Sequence, residues 1–255
     1  MTFVDTHCHL YDEAFDSDRE AAVEKALGAG VGLMLLPDID SGATERLDEL
    51  YRLYPQHFRR MAGLHPTSVG ENLEQELEHV RARLAEGGCV AVGEIGMDLY
   101  WDKTYEEQQR EALKRQMQWA WECNLPVALH IRKAYNEVFG LLRDLNRGTY
   151  RGVMHCFGGS VQEARRAVEM GFMLGIGGVV TYKNATMAEV VREISIDHLL
   201  LETDAPYLPP VPHRGQRNES AYIPLIAQKV ADIKGLSLEA VAEQTTANAV
   251  RLFGL

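Results

Sequence analysis

The chain has 255 residues, 46% of them hydrophobic and 25% charged, and its 26 Lys plus Arg against 37 Asp plus Glu give a net charge of −11. That length suits one α/β barrel domain of about 250 residues, with a core large enough to need no disulfides. The charge excludes a broad nucleic-acid-coating surface, which basic patches would drive, but leaves room for an enzyme that grips one or two phosphates through metal ions.

From the start of the chain, strand-length apolar runs alternate with helical patterns. Residues 3–5 read as a first strand, followed by a helix over 17–29 that opens on Ser17 and stops at Gly30. A strand at 31–37 precedes a helix at 41–54 that ends before Pro55. A strand at 60–65 leads to a helix at 71–86, closed by Gly87 and Gly88. Strand 90–95 precedes the longest helix, 104–123, with Leu113, Met117 and Ala120 on one stripe. Strands 127–131, 152–157, 172–177 and 198–204 alternate with helices 133–146, 160–170, 185–194 and 221–233, and a ninth helix, 237–253, follows. Strict alternation predicts a parallel sheet. Eight repeats favour a closed (β/α)8 barrel over an open doubly wound sheet, and no GxGxxG follows the first strand. With no linker or low-complexity stretch, residues 1–255 are expected to form a single hydrolase barrel domain.

Cys8, Cys89, Cys123 and Cys156 form no CxxC pair, so a zinc ribbon or thioredoxin-like motif is not expected. The opening residues lack the basic segment and apolar stretch of a signal peptide, and no run of 18 apolar residues occurs. The expectation is a cytoplasmic chain with no membrane contact and no obligate protein partner.

In a barrel, active sites form at the C-terminal ends of the strands. Strand 1 runs into Asp5-Thr6-His7-Cys8-His9, and alternation points His7 and His9 one way and Cys8 the other. Alone, this pair fits packing or surface histidines as well as a metal. Glu94 interrupts an apolar strand, where a carboxylate is expensive to bury unless it is paired or bound to a cation. His130 and His155 each follow a buried run, and Glu202 and Asp204 share a face of the last strand. Four histidines and two carboxylates at one end of strands 1, 4, 5, 6 and 8 exceed the needs of one tetrahedral zinc and suit two ions sharing a bridging carboxylate. Mixed imidazole and carboxylate donors favour Zn, Mn, Co or Fe, while Mg prefers oxygen-rich sites.

Six stretches carry a resemblance to a known family: Phe3-Val4-Asp5-Thr6-His7-Cys8-His9-Leu10, Gly63-Leu64-His65-Pro66, Val92-Gly93-Glu94-Ile95-Gly96-Met97-Asp98, Leu125-Pro126-Val127-Ala128-Leu129-His130-Ile131-Arg132, Met154-His155-Cys156-Phe157-Gly158-Gly159, and Leu201-Glu202-Thr203-Asp204-Ala205-Pro206-Tyr207-Leu208. In sequence and order they resemble the TatD family of metal-dependent deoxyribonucleases, within the amidohydrolase-like barrels. The resemblance implies His7, His9, Glu94, His130, His155 and Asp204 as ligands of two divalent ions, with Glu94 bridging. It also implies hydrolysis of DNA, with Mg or Mn commonly required. Two positions depart from the family pattern. Tyr11 stands where an Asp is often found, a change expected to touch no proposed ligand. In Arg217-Asn218-Glu219-Ser220, Ser220 replaces a Pro, which bears on the loop after strand 8.

Asp204 is the candidate proton acceptor, with Glu94 and Glu202 as further catalytic candidates, Glu202 orienting a ligand histidine. His65, Arg132, Arg214 and Arg217 are candidate substrate contacts. His65 packed by Pro66 and Arg132 paired to a carboxylate are the structural alternatives. Tyr100 and Trp101 can stack on a base, although rim packing is the favoured reading. The leading function is a deoxyribonuclease that attacks single-stranded or end-accessible DNA. A carbonyl-directed amidase or lactonase would use the same ligands, and only basic residues at the mouth (Arg132, Lys133, Lys183, Arg214, Arg217) separate the two. A non-catalytic metal-binding protein is the third reading, disfavoured by the intact carboxylates.

Overall fold

The computed structural model describes residues 1–183 and 186–255. Eight strands appear in order: β1 (Phe3–Asp5), β2 (Val31–Leu36), β3 (Phe58–Ala62), β4 (Cys89–Asp98), β5 (Val127–Arg132), β6 (Gly152–Met154), β7 (Phe172–Ile176) and β8 (Leu199–Leu201). Between and after them lie α1 (Arg19–Gly28), α2 (Thr44–Leu53), α3 (Leu73–Glu86), α4 (Glu106–Glu122), α5 (Tyr135–Leu145), α6 (Val161–Glu169), α7 (Met187–Glu193), α8 (Ile223–Lys234) and α9 (Leu238–Phe253). Each strand pairs in parallel with the next in the chain. The segments past β8 and β1 complete the circle. Thr6 N donates to Leu201 O at 3.0 Å, Asp204 N to His7 O at 2.9 Å and His9 N to Ala205 O at 2.7 Å. The fold is the (β/α)8 barrel that the alternation predicts.

Two apolar layers hold it. Inside the barrel, every strand supplies one buried side chain: Val4, Leu35, Met61, Ala91, Ala128, Val153, Met173 and Leu200. Ala249, Leu252 and Phe253 of α9 pack against this layer and plug that end of the barrel. A well-formed helix makes the plug: Ser237 Oγ accepts from Ala240 N at 3.1 Å, and Gly254, at φ 69°, ends the helix in the left-handed conformation. The second layer lies between strands and helices and includes Phe3, Met34, Phe58, Leu129 and Leu174 with Val23, Leu47, Leu113, Phe139 and Val190. Each such side chain, fully buried, contributes roughly 1.5–3 kcal/mol. With one end of the barrel plugged by apolar groups, the opposite end carries the polar residues.

At that end, strand boundaries depart from expectation. β8 stops at Leu201 and β6 at Met154, three residues short of the apolar runs, because the chain must turn to aim side chains inward. Asp204 (φ 58°) and Cys156 (φ 43°) mark these turns. β3 occupies Phe58–Ala62, and His65 instead caps a 3-10 turn at Pro66–Ser68. β4 is longer than expected and reaches Asp98, because its register with β5 continues through Asp98 and Arg132. Ala185, the expected start of the seventh helix, lies outside the described residues. Among the described residues, no helix is long and apolar enough to cross a membrane.

Candidate metal centre

The centre is organised around Glu94, buried in β4. Its two oxygens face different histidines. Oε2 lies 3.1 Å from His7 Nε2 and 3.6 Å from His9 Nε2. Oε1 lies 2.9 Å from His130 Nδ1, 3.0 Å from His155 Nε2 and 3.3 Å from His65 Nε2. Asp204 Oδ1 approaches from the β8 side, 3.5 Å from His9 Nε2 and 3.9 Å from His7 Nε2. The rings of His7 and His155 stack at 3.7 Å between centroids. All six residues expected as ligands therefore converge on one point.

Local sequence explains how each arrives. His7 and His9 share one side of the extended segment after β1, whereas the Cys8 thiol turns away toward Leu35 O. Asp5 ties this segment to the last loop, accepting from Thr203 Oγ1 at 2.6 Å, Thr203 N at 2.9 Å and His7 N at 3.3 Å. Burial nevertheless pushes the Asp5 carboxyl up to about 7. Gly96, at φ 152°, lies against the His130 backbone so closely that a Cβ would collide with its carbonyl, so β4 and β5 bring Glu94 and His130 together only with glycine there. Gly175 leaves the space that the Glu202 carboxylate fills.

Two histidines carry a legible proton position. The Tyr11 hydroxyl donates to Pro37 O at 2.6 Å, so it must accept from the His9 Nδ1–H, 2.8 Å away. A neutral His9 then carries its lone pair on Nε2, which faces Glu94 and Asp204. Thr67 N, an obligatory donor, points at His65 Nδ1 from 3.2 Å, so a neutral His65 carries its proton on Nε2 and faces the centre as a donor. Tyr11 thus touches a proposed ligand directly, contrary to the expectation from sequence. One further residue escapes the sequence reading: Asp98 Oδ2 sits 3.0 Å from His130 Nε2. Asp98 closes the stretch Val92-Gly93-Glu94-Ile95-Gly96-Met97-Asp98, and its signal is the same as that of Glu94: a carboxylate within an apolar strand.

Burial would raise the Glu94 carboxyl, but His155, His65 and His7 outweigh it and hold the group well below the usual carboxylate range. Burial opposes protonation of His155 too, yet Glu94 and Glu202 keep its pKa well above the ordinary imidazole value. Glu202 Oε1 lies 3.3 Å from His155 Nδ1 and accepts from Cys156 N. It therefore supports the outer face of His155 instead of joining Asp204. Burial, reinforced by His155, lowers the pKa of His7, whose Nδ1 has no hydrogen-bond partner among the described residues. Five imidazoles and two carboxylates this close form a donor set suited to divalent cations. Among the described residues, three His/Glu/Asp groups have donor atoms within 4.8 Å of one another: His7, His9, Glu94; His7, His155, Asp204; and His65, Glu94, His130.

The expected substrate contacts divide. His65 joins the centre. Arg132 is exposed and lies over aromatic rings, 4.0 Å from the Tyr100 centroid and 5.0 Å from that of Trp101, where a carboxylate partner had been the alternative. Arg214 lies over Tyr182 at 4.3 Å. Arg217 is committed elsewhere: its guanidinium forks onto Asp18 at 2.6 and 2.8 Å, reaches Glu219 at 3.0 Å and covers Phe15. Next to it, buried Asn218 donates to Thr203 O at 2.7 Å and Tyr207 O at 2.6 Å, so this stretch fastens the loop after β8 without the proline.

A barrel with a histidine and carboxylate cluster at the C-terminal ends of its strands is the frame of a metal-dependent hydrolase. Residues 4–254 match the family described as TatD related DNase. The chain is 38% identical over 250 residues to YabD of Bacillus subtilis, an uncharacterized metal-dependent hydrolase, covering 98% of each protein. It is 34% identical over 258 residues to the 3'-5' ssDNA/RNA exonuclease TatD of Pantoea ananatis, covering 98% of this chain and 99% of that one. The crystal structure of YjjV, a TatD homologue from Escherichia coli K12, superposes with a TM-score of 0.93 at 32% identity, over 99% of this chain and 98% of the other. The chain belongs to the TatD family of metal-dependent hydrolases.

Proposed function

We propose that this chain is a two-metal phosphodiesterase that removes nucleotides from the 3' end of single-stranded nucleic acid, with residues 1–255 acting as one catalytic unit. The observation that carries the metal count is the division of Glu94. One oxygen faces His7 and His9, the other His130 and His155, which is the arrangement a bridging carboxylate requires. His7, His9, Glu94, His130, His155 and Asp204 would hold the ions. A pair of divalent ions held there would supply Lewis acidity and a water nucleophile at neutral pH.

The protein's own groups account for the rest. Burial opposes ionisation of Asp204, but the neighbouring His155 and His7 help to lower its pKa below the ordinary carboxylate value, so Asp204 can accept the proton released as water attacks phosphorus. His65 Nε2–H donates to a non-bridging phosphate oxygen. Glu202 stands 3.3 Å behind His155 Nδ1, and Asp98 fixes His130. The strand preference follows the name of the Pantoea ananatis relative, and a net charge of −11 favours a strand end entering the mouth over a duplex lying across the surface.

The test is a substrate panel with metal-loaded protein: linear single-stranded DNA and RNA, the same DNA with a blocked 3' end, circular single strands, duplex, and carbonyl esters and lactones. Linear single strands with a free 3' end should be degraded fastest. Turnover confined to the carbonyl compounds would establish the amidase or lactonase chemistry in its place.

A further inference from the structure

Two of the most exposed aromatic side chains in the molecule, Tyr100 at 52% and Trp101 at 69%, stand directly after β4. Rim packing, the reading favoured from sequence, would bury them. Their backbone is anchored where it matters. Asp98 Oδ1 accepts from Tyr100 N at 2.9 Å, while Oδ2 of the same carboxylate faces His130 Nε2 at 3.0 Å. Leu99 N donates to Arg132 O at 2.9 Å, and Arg132 pairs with Asp98 in the β4–β5 register, two residues beyond His130. The aromatic pair is therefore tied to the candidate metal centre by one shared carboxylate and one strand register.

The geometry points to a nucleobase-stacking subsite formed by Trp101, Tyr100 and Arg132 on the rim of the barrel mouth, taking a base close to the scissile end of a single strand; this rests on the phosphodiesterase reading. The two rings stand at 85°, with centroids 5.0 Å apart, so they present a corner instead of stacking on each other. Arg132 Cζ lies 4.0 Å from the Tyr100 centroid and 5.0 Å from that of Trp101, and among the described residues Arg132 has no carboxylate within ion-pair distance. A guanidinium held against a ring can still direct N–H groups to a phosphate. The occupant follows from charge. A chain of net charge −11 gains little from counterion release along a phosphate backbone. Its hold on a single strand must come from a few directed contacts, and base–aromatic stacking supplies these with tolerance for sequence.

Trp121 provides an internal control. It is 61% exposed and lies under Arg147 at 4.4 Å, the same pairing of ring and guanidinium. It stands at the C-terminal end of α4, however, and helices run antiparallel to the strands, so it lies at the plugged end of the barrel.

The experiment measures KM and kcat with metal-loaded enzyme on a short single-stranded oligodeoxynucleotide, and on copies with one abasic residue moved inward from the 3' end. Trp101→Ala should raise KM about 5- to 150-fold, the equivalent of one stacked base, with little change in kcat. Trp101→Phe should recover most of the loss, Trp121→Ala should change nothing, and metal content should match wild type in all three. One abasic position should raise the wild-type KM by a similar factor and leave Trp101→Ala no worse. If wild type degrades single strands and Trp101→Ala does so with the same KM, the subsite is wrong while the nuclease reading stands. If wild type degrades no single strand, both fall.

Discussion

His130 is held between two carboxylates, its Nδ1 2.9 Å from Glu94 Oε1 and its Nε2 3.0 Å from Asp98 Oδ2. Burial would lower its pKa, but hydrogen bonds to Asp98 and Glu94 reverse the direction and raise it. Asp98 thus fixes the ring in place while Glu94 shares its inner edge. Asp98→Asn keeps the shape and removes the charge. It should weaken metal binding by about 10–100-fold, the usual cost of losing a partner that orients a ligand. The check is metal content after dialysis against graded chelator. Undiminished affinity would show that Asp98 serves only to hold the Tyr100 turn.

Glu94→Gln bears on the metal count itself. An amide cannot offer two anionic oxygens, so the variant should retain at most one metal equivalent and lose turnover by about 100-fold or more. The apolar layers of the barrel do not include Glu94, so circular dichroism should match wild type. Two metals per chain in the variant would remove the basis for a bridging carboxylate.

Much of this centre was legible in the sequence, and the reason is geometric. In a parallel barrel every strand delivers its C-terminal residues to one rim, so polar residues just past apolar runs converge wherever the runs lie in the chain. His7, Glu94, His130 and His155 needed no more than that. Other features depend on turns that leave the β region, and strand periodicity is silent about those. Extending β8 to residue 204 put Glu202 and Asp204 on one face. The strand ends at Leu201, and the left-handed turn at Asp204 sends one carboxylate to His9 and the other to the back of His155. Arg217 looked like a substrate contact because its partner Asp18 lies 199 positions away in sequence. Tyr11 was set aside as a family departure because nothing in its spacing shows that its hydroxyl returns to His9.

A pH effect on stability follows from a pair far from the centre. Asp48 accepts from Arg83 through both oxygens, at 2.6 and 2.8 Å, and from Arg60 at 3.0 Å. Burial opposes ionisation, but Arg83 and Arg60 outweigh it and lower the pKa below the ordinary carboxylate value. A depressed native pKa means that the unfolded chain binds the proton more readily. The stabilisation is therefore complete above about pH 3.9 and lost as pH falls through the lower native value. Asp48→Asn leaves the nearly buried Arg83 without its counter-charge. The loss should be about 2–3 kcal/mol at pH 7, less than the ~3–5 kcal/mol of a fully buried pair because the Asp48 side chain is 24% exposed. Urea unfolding at pH 7 and pH 3 tests both parts. The gap between wild type and variant should narrow at the lower pH, and a constant gap would mean that the carboxylate contributes by packing alone.

The last prediction separates two histidines that face the same carboxylate. His9 and His65 lie 3.6 and 3.3 Å from the Glu94 oxygens, and distance alone would make both ligands. Their outer nitrogens say otherwise. Tyr11 spends its proton on Pro37 O and takes one from His9 Nδ1, leaving a lone pair on Nε2. Thr67 N donates a hydrogen bond to His65 Nδ1, so a neutral His65 carries its hydrogen on Nε2. A metal needs the lone pair and a phosphate oxygen needs the hydrogen, so His9 is suited to hold an ion and His65 to hold substrate. Tyr11→Phe removes the acceptor that fixes the His9 tautomer while leaving the ring that packs there. It should weaken binding of one metal equivalent by about 10–100-fold. Nitrogen-15 spectra of the metal-free protein give a readout independent of activity: His9 Nε2 should carry a lone-pair signature in wild type and a mixture of tautomers in the variant. His65→Ala should keep both metals and lower kcat/KM by about 10-fold or more, through the lost hydrogen bond to a charged oxygen. Loss of a metal equivalent from His65→Ala, with Tyr11→Phe unchanged, would reverse the two assignments.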